Sequence, residues 1–469
     1  MIRTASMFAT AAALPLLAAA SPPVPPPQSH PVLHEIVAAV SADRLRALDT
    51  ALVGFHTRHT LSDTRSDSRG IGAARRWVKA QFEQISRDCG GCLTIITPAR
   101  RFTGKRTPPD GVEVMDIVAI QKGGSDPNRH LVMTAHLDTR VNDVMDATAF
   151  APGADDDGSG IVALIETARV LSKYKFAASI VYSADSGEEQ GLYGGHIIAD
   201  YARDHGWYVE ANLNNDMIGN SHGSDGVSDN TTARIFSQAV KQTLSERELA
   251  TLRYTGGFVD SPSREVARYI TALAARYIPN FNFMLMYRQD RYMRGGDQIA
   301  FNANGFPAVR INEAHENWRH QHQAVRTEDG IRYGDLLRYV DFDYLAKMTA
   351  ANAIALASLA WAPAPPAEVE IHGGLSPDTR LTWAAADAGA AAATAGYRIH
   401  WRRTAAPMWQ HQRYVGDVTE FTLKDLVIDN WYFGVSSVSS DGYESPVVFP
   451  GAGGAWPPRQ PAPPRATKP

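Results

Sequence analysis

Cysteine is almost missing from this chain: Cys89 and Cys92 are the only two among 469 residues. Without a second pair there is neither a four-thiol zinc ribbon nor a disulfide-dense scaffold. Positive charge is not in excess either. A formal net charge of −4 argues against a nucleic-acid surface, which needs a basic stripe to meet phosphates. No apolar run reaches the roughly 20 residues of a membrane-crossing helix, so no transmembrane anchor is expected. What remains, 44% hydrophobic and 20% charged, is an ordinary globular composition on a chain too long for one small domain.

Arg3, the apolar stretch 7–19 and the small residues Ala18-Ala19-Ala20 have the layout of a secretory signal peptide, expected to be cut near Ala20. The expected location is therefore secreted or periplasmic, and in an exported chain Cys89 and Cys92 read as a local disulfide that adds little chain entropy. A proline-rich leader covers 21–31. Helical apolar spacing follows at 34–55 and 71–85. From residue 112 short apolar runs alternate with amphipathic stretches in a βαβ manner, with strands expected at 116–120, 131–135, 179–184, 211–213 and 308–311. The stretch 161–174 reads as a helix packed on a sheet, and the alanine-rich 344–361 as the helix that closes the domain. The expectation is an α/β fold with a mixed, mostly parallel central sheet flanked by helices over 32–361. A linker at 362–367, a small all-β sandwich at 368–450 and a proline-rich disordered tail at 451–469 should follow.

Several zinc-type ligands stand where a strand pattern has just ended, the place where ligands bind in open α/β sheets. His136 follows Leu131-Val132-Met133-Thr134-Ala135, and Asp138 is close enough to accept its second ring N–H. Asp155, Asp156 and Asp157 precede a helix; one is expected to cap it, and the middle one, Asp156, to bridge two metals. Glu188 and Glu189 follow a strand among glycines, with Glu189 read as a ligand and Glu188 as the base that takes a proton from water. Asp216 ends a third strand-like segment. His320 and His322 come past a fourth; at i, i+2 both cannot aim at one metal, and spacing does not choose between them. Two histidines with three or more carboxylates are too anionic for one metal but suit two zinc ions sharing a carboxylate. A hydrolase is implied.

His136-Leu137-Asp138, the run from Pro152 through Asp155-Asp156-Asp157 to Gly160, Glu188-Glu189 with Gly191-Leu192, Asn215-Asp216-Met217 and Gly305-Phe306-Pro307-Ala308 together resemble the zinc aminopeptidases of the bacterial leucyl and Streptomyces type. The resemblance implies a zinc exopeptidase fold. It implies two zinc ions, one held by His136 and Asp216, the other by Glu189 and a final histidine, with Asp156 bridging and Glu188 as general base. The family's last ligand stands four residues before an aspartate, which aligns His320, although Ala324 occupies the aspartate's place. Arg319 stands where some relatives carry a tyrosine. The implied substrates are peptides with a free N-terminus; a carboxypeptidase or glutaminyl cyclase on the same scaffold is the alternative. Residues 368–450 resemble a fibronectin type III domain through Trp383, Tyr397, Trp401, Leu426 and the strand at 432–438, which implies docking to a surface or protein partner. A binding protein working through that domain is the rival of another class.

Overall fold

The computed structural model describes residues 23–385 and 394–457; the expected signal peptide, most of the low-complexity run near 390 and the last twelve residues lie outside these. An eight-stranded sheet carries the ligand segments. Its strands are β1 (Leu93–Ile96), β4 (Ile117–Gln121), β5 (Asp126–His136), β6 (Ala178–Asp185), β7 (Tyr208–Asn215), β8 (Thr232–Ser237), β9 (Asn282–Met286) and β10 (Ala308–Glu313), while β2 (Ala99–Phe102) and β3 (Val112–Met115) form a separate hairpin. The order is β1-β4-β6-β5-β7-β10-β8-β9. Strands β6, β5, β7 and β10 run parallel, as do β8 and β9, and the other three pairings are antiparallel.

Alternation along the strands feeds two cores. Leu131, Met133 and Ala135 of β5 and Ile180 and Tyr182 of β6 pack under one helical layer, whereas Val132 and Val181 point to the other. The first layer holds α1 (Pro31–Ala39), α2 (Ala42–Val53), α3 (Gly70–Asp88), α4 (Gly158–Leu171), α8 (Pro262–Tyr277) and α10 (Phe342–Trp361). The second holds α6 (Tyr193–Asp204) and α9 (Gln298–Ala303). The short α5 (Glu188–Gly191) and the peripheral α7 (Glu246–Thr255) complete the set. No helix among the described residues is long and apolar enough to cross a membrane. The single helix expected at 34–55 is two: Ser41 is extended and its hydroxyl accepts from the Arg44 amide, so the chain ends one helix and caps the next. Cys89 and Cys92 form a disulfide at the end of α3.

The C-terminal part is two three-stranded antiparallel sheets. β13 (Ala367–His372), β14 (Thr379–Ala384) and β17 (Glu420–Leu423) make one, and β15 (Thr394–Arg403), β16 (His411–Gly416) and β18 (Trp431–Ser439) the other. Trp383 of the first meets Tyr397 of the second at 5.4 Å. The β11 (Arg326–Glu328) and β12 (Ile331–Tyr333) hairpin lies before α10. The expected linker is no loose tether. Residues 362–366 are buried, and the Ala362 carbonyl accepts from the buried Arg129 guanidinium at 2.6 Å. The beginning of the expected tail is docked as well, with Trp456 donating to the Glu210 carbonyl at 3.1 Å. Asp260 before α8 accepts two bonds from Arg402 of β15, tying the sandwich to the larger domain.

One cluster on the face of β15 that is turned away from the sandwich interior and toward α8 predicts an acid response. Burial alone would raise the Glu444 carboxyl, but His400 Nε2 at 2.6 Å, Arg398 and the Ser436 hydroxyl override it and hold it at about 2, against an ordinary 4.5. A depressed folded-state value contributes stability that is fully present above the unfolded value and is lost as pH falls from about 4.5 towards 2, up to about 3 kcal/mol. Thermal melts of wild type and Glu444→Gln should therefore differ most at neutral pH and converge near pH 2. Parallel curves across that window would contradict this.

Candidate metal centre

Because β6, β5, β7 and β10 are parallel neighbours, their carboxyl ends stand side by side at one edge of the sheet. His136 is the last residue of β5, Glu188 and Glu189 open α5 just after β6, Asp216 follows β7, and the loop after β10 returns His322 to the same place. Asp156 comes from the turn between β5 and α4. Two ligand groups result, His136 with Asp156 and Asp216, and Asp156 with Glu189 and His322, the ligand atoms of each lying within 4.8 Å of one another. Asp156 belongs to both. His136 Nε2 is 3.2 Å from Asp156 Oδ1 and 3.9 Å from Asp216 Oδ2. His322 Nε2 is 2.9 Å from both Asp156 Oδ2 and Glu189 Oε1.

These side chains fit a pair of cations better than they fit each other. Glu189 Oε1 is buried and has no hydrogen-bond partner despite the nearby imidazole nitrogen, so the two atoms converge on a point rather than bond. Nitrogen and carboxylate donors in threes, with one carboxylate common to both sets, form a zinc-type donor set. Although burial disfavours a charged ring, Glu189 and Asp156 raise His322 to about 9; Arg140 Nη2, which can only donate, lies 2.7 Å from the other ring nitrogen, Nδ1, so Nε2 is the nitrogen that faces the carboxylates and that zinc would take.

The three consecutive aspartates divide their work. Asp155 Oδ1 accepts from the Gly219 amide at 2.7 Å. Asp157 caps α4 by accepting from the Gly160 amide, and the same carboxylate accepts from the amides of His136 and Met217, so it fixes the strand ends that bear two ligands. Only Asp156 is left to face the ligand cavity, while its own amide is anchored 2.7 Å from Asp335 Oδ2. Glu188 faces the same cavity but belongs to neither ligand group. Burial, and then the Glu189 and Asp216 charges against the opposing His136, keep its carboxyl well above the usual range.

Two expectations need correction. The Asp138 carboxylate is not the partner of the His136 ring: Oδ1 is 3.7 Å from Nδ1, beyond hydrogen-bond reach, and the ring nitrogen instead meets the Asp138 carbonyl at 3.0 Å. Asp138 holds the Glu188-Glu189 loop, accepting from the amides of Glu188 and Glu189 and from the Thr60 hydroxyl. His320 is not in the cluster. Its ring stacks on Tyr339 at 3.7 Å and, lowered by burial and by the Arg319 and Arg338 charges, sits at about 4. The chain turns between the two histidines because His322 has φ +54°, a left-handed conformation costly for a side-chain residue, and this brings the second ring inward.

Residues that the sequence reading passed over complete the centre. Arg310 lies inside the apolar strand β10, fully buried, with Nη1 2.7 Å from Asp216 Oδ2. An arginine in a buried strand run was the signal. Arg140 Nε lies 2.6 Å from Glu189 Oε2, and Gln321 donates to Asp156 at 3.3 Å.

Residues 116–341, which hold all of these ligands, match the model of peptidase family M28. A probable zinc metalloprotease of Leptosphaeria maculans is 41% identical over 419 residues, spanning 89% of this chain and 96% of its own length. The chain belongs to peptidase family M28. A second probable zinc metalloprotease, from Pyricularia oryzae, is 41% identical and spans 91% of this M28 chain and 88% of its own length. The fold is shared with the Legionella pneumophila protein LapB (TM-score 0.50, 18% identity, 72% of this chain and 77% of that one). It is also shared with an aminopeptidase from Aneurinibacillus sp. strain AM-1 (TM-score 0.50, 13% identity, 70% and 96%). This M28 peptidase is thus a zinc metalloprotease, and the zinc-type donor set is where its family membership and its geometry meet.

Proposed function

We propose that this M28 peptidase is an exopeptidase with two co-catalytic zinc ions that removes the residue at a free N-terminus. The observation that carries the reading is the position of Asp156 in two ligand groups at once. In this reading His136 and Asp216 would hold one ion and Glu189 and His322 the other, with Asp156 shared between the two groups. When bound there, zinc would supply Lewis acidity for activating water and polarising a peptide carbonyl. Glu188, set beside the ligands and outside both groups, takes the proton from that water and delivers it to the leaving amine. Asp138 and Thr60 keep the Glu188-Glu189 loop in place for that transfer. Arg310 fixes the orientation of Asp216. Carboxylates around the centre receive the substrate's α-ammonium, which selects the amino end, and the shared fold of an aminopeptidase supports the same reading.

The surrounding features agree with an exported enzyme. The Cys89–Cys92 disulfide belongs to an oxidising compartment, in keeping with the signal peptide read at 1–20. The C-terminal strand order, three strands against three with Trp383 between them, supports a fibronectin-like unit, and such a unit would serve to dock the enzyme to a surface or partner. The test is hydrolysis of aminoacyl anilides and their N-acetylated forms. Cleavage confined to free amines, abolished by chelator and restored by zinc, is expected; equal cleavage of the acetylated forms would remove the aminopeptidase reading.

A further inference from the structure

The cavity above the ligands, about 370 Å³, is walled by guanidinium groups: Arg291 and Arg294 on the Asp216 side, Arg140 and Arg106 on the Glu189 side. Apart from Leu192 and Met293 its lining is polar, charged or glycine, and Met293 is itself 89% exposed at the rim. A pocket for an aliphatic side chain would need an apolar lining, which this one lacks. Arg291, Arg294 and Arg106 are also not fully spent on their neighbours. Arg291 and Arg294 both lean on one carboxylate, Glu316, at 3.4 and 2.8 Å, and Arg234 bonds to it as well. Arg291 also pairs with Asp290 at 3.2 Å, and Arg310 with Asp290 and Asp216, so on this wall four guanidinium groups, Arg234, Arg291, Arg294 and Arg310, face three carboxylates and one positive charge is in surplus. Arg294 registers it, lowered first by burial and then by the adjacent Arg291 charge. On the opposite wall Arg106 donates to the Glu189 carbonyl at 2.9 Å and pairs with no carboxylate among the described residues. Both walls therefore present N–H donors and positive charge beside the ligand groups, the arrangement that recognises carboxylates.

We propose that this cavity selects peptides carrying a carboxylate within about one residue of the bond to be cut. The inference rests on the exopeptidase reading above and adds its substrate class. Two sources supply such a carboxylate: an acidic side chain next to the scissile bond, or the free carboxyl end of a very short peptide. Arg291 and Arg294 receive it on the side where Asp216 is already tied to Arg310; Arg106 receives it on the other, where the Arg140 nitrogens are taken by Glu189, Val141 and His322.

Paired substrates separate the sources: Glu-anilide against Gln-anilide, Ala-Asp-amide against Ala-Asn-amide, and Ala-Leu against Ala-Leu-amide. The acidic member of at least one pair should be preferred by about ten- to a hundredfold in kcat/KM, chiefly through KM, with the preference shrinking as salt is raised. Cleavage of both members of every pair at equal rates, or preference for the neutral ones, overturns the inference while leaving the exopeptidase reading intact. Calorimetric titration with glutarate reads the anion site independently of turnover. Its affinity for the zinc-loaded protein should fall at least about tenfold in Arg291→Gln/Arg294→Gln, and the exposed Arg106→Gln provides a variant whose folding is not at issue. Unchanged glutarate affinity in both variants overturns the inference whether or not any peptide is cleaved. Absence of cleavage of every peptide beside intact, arginine-dependent glutarate binding counts against the exopeptidase reading instead.

Discussion

Replacing Glu188 with Gln lowers kcat by about 10²- to 10⁴-fold and leaves zinc content unchanged. Gln keeps the volume and hydrogen-bonding reach of the side chain but cannot take a proton at neutral pH. Glu188 faces the cavity without joining either ligand group, so the substitution removes proton transfer and not a metal contact. Its backbone amide bonds to Asp138 in either form, which keeps the loop in place. Steady-state kinetics with metal analysis on the same preparation separates the two effects. Retained turnover would place the base elsewhere, and lost zinc would make Glu188 a ligand.

The second large effect distinguishes two histidines that stand two residues apart. His322→Ala removes one of three ligand atoms from the Asp156, Glu189 and His322 group. It should release one zinc ion and cost more activity than the roughly 10- to 100-fold lost when a partner beyond the ligands is removed. His320→Ala should keep both ions. It loses the stacking on Tyr339, worth on the order of 1 kcal/mol, and its consequence is a modest drop in melting temperature. Metal loss in His320→Ala with none in His322→Ala would reverse the assignment.

The histidine pair shows why part of the centre was legible in the sequence and part was not. His136, Glu188, Glu189 and Asp216 could be found because each follows an apolar run, and in parallel strands the ends of such runs are brought to one edge. Asp156 could be found because flanking carboxylates have backbone amides to serve, as Asp155 and Asp157 do here. His322 follows no such rule. It sits on a long loop after β10, and its inward direction depends on a left-handed residue at its own position, which composition and spacing do not announce. The family pattern favoured His320 by counting residues to an aspartate this chain lacks. The arginine walls were invisible for another reason: Arg106, Arg140 and the pair Arg291 and Arg294 lie on three loops far apart in the chain, and only the fold shows that they face one cavity.

The same distinction holds for the fold. The strands read at 116–120, 131–135, 179–184, 211–213 and 308–311 correspond to β4, β5, β6, β7 and β10, because strands covered by helices on both faces leave continuous apolar runs whether their pairing is parallel or, as for β4, antiparallel. The break at Ser41 was hidden because apolar spacing continues across it. The burial of 362–366 was hidden because a proline cluster reads as a tether whether or not a second domain packs on it.

The central claim is that two zinc ions share Asp156. Anomalous diffraction at the zinc edge on crystals of the zinc-loaded enzyme tests it most directly. Two peaks, one beside His136 and Asp216 and the other beside Glu189 and His322 with Asp156 between them, are the predicted result. A single peak, or a second one away from His322, would contradict the account.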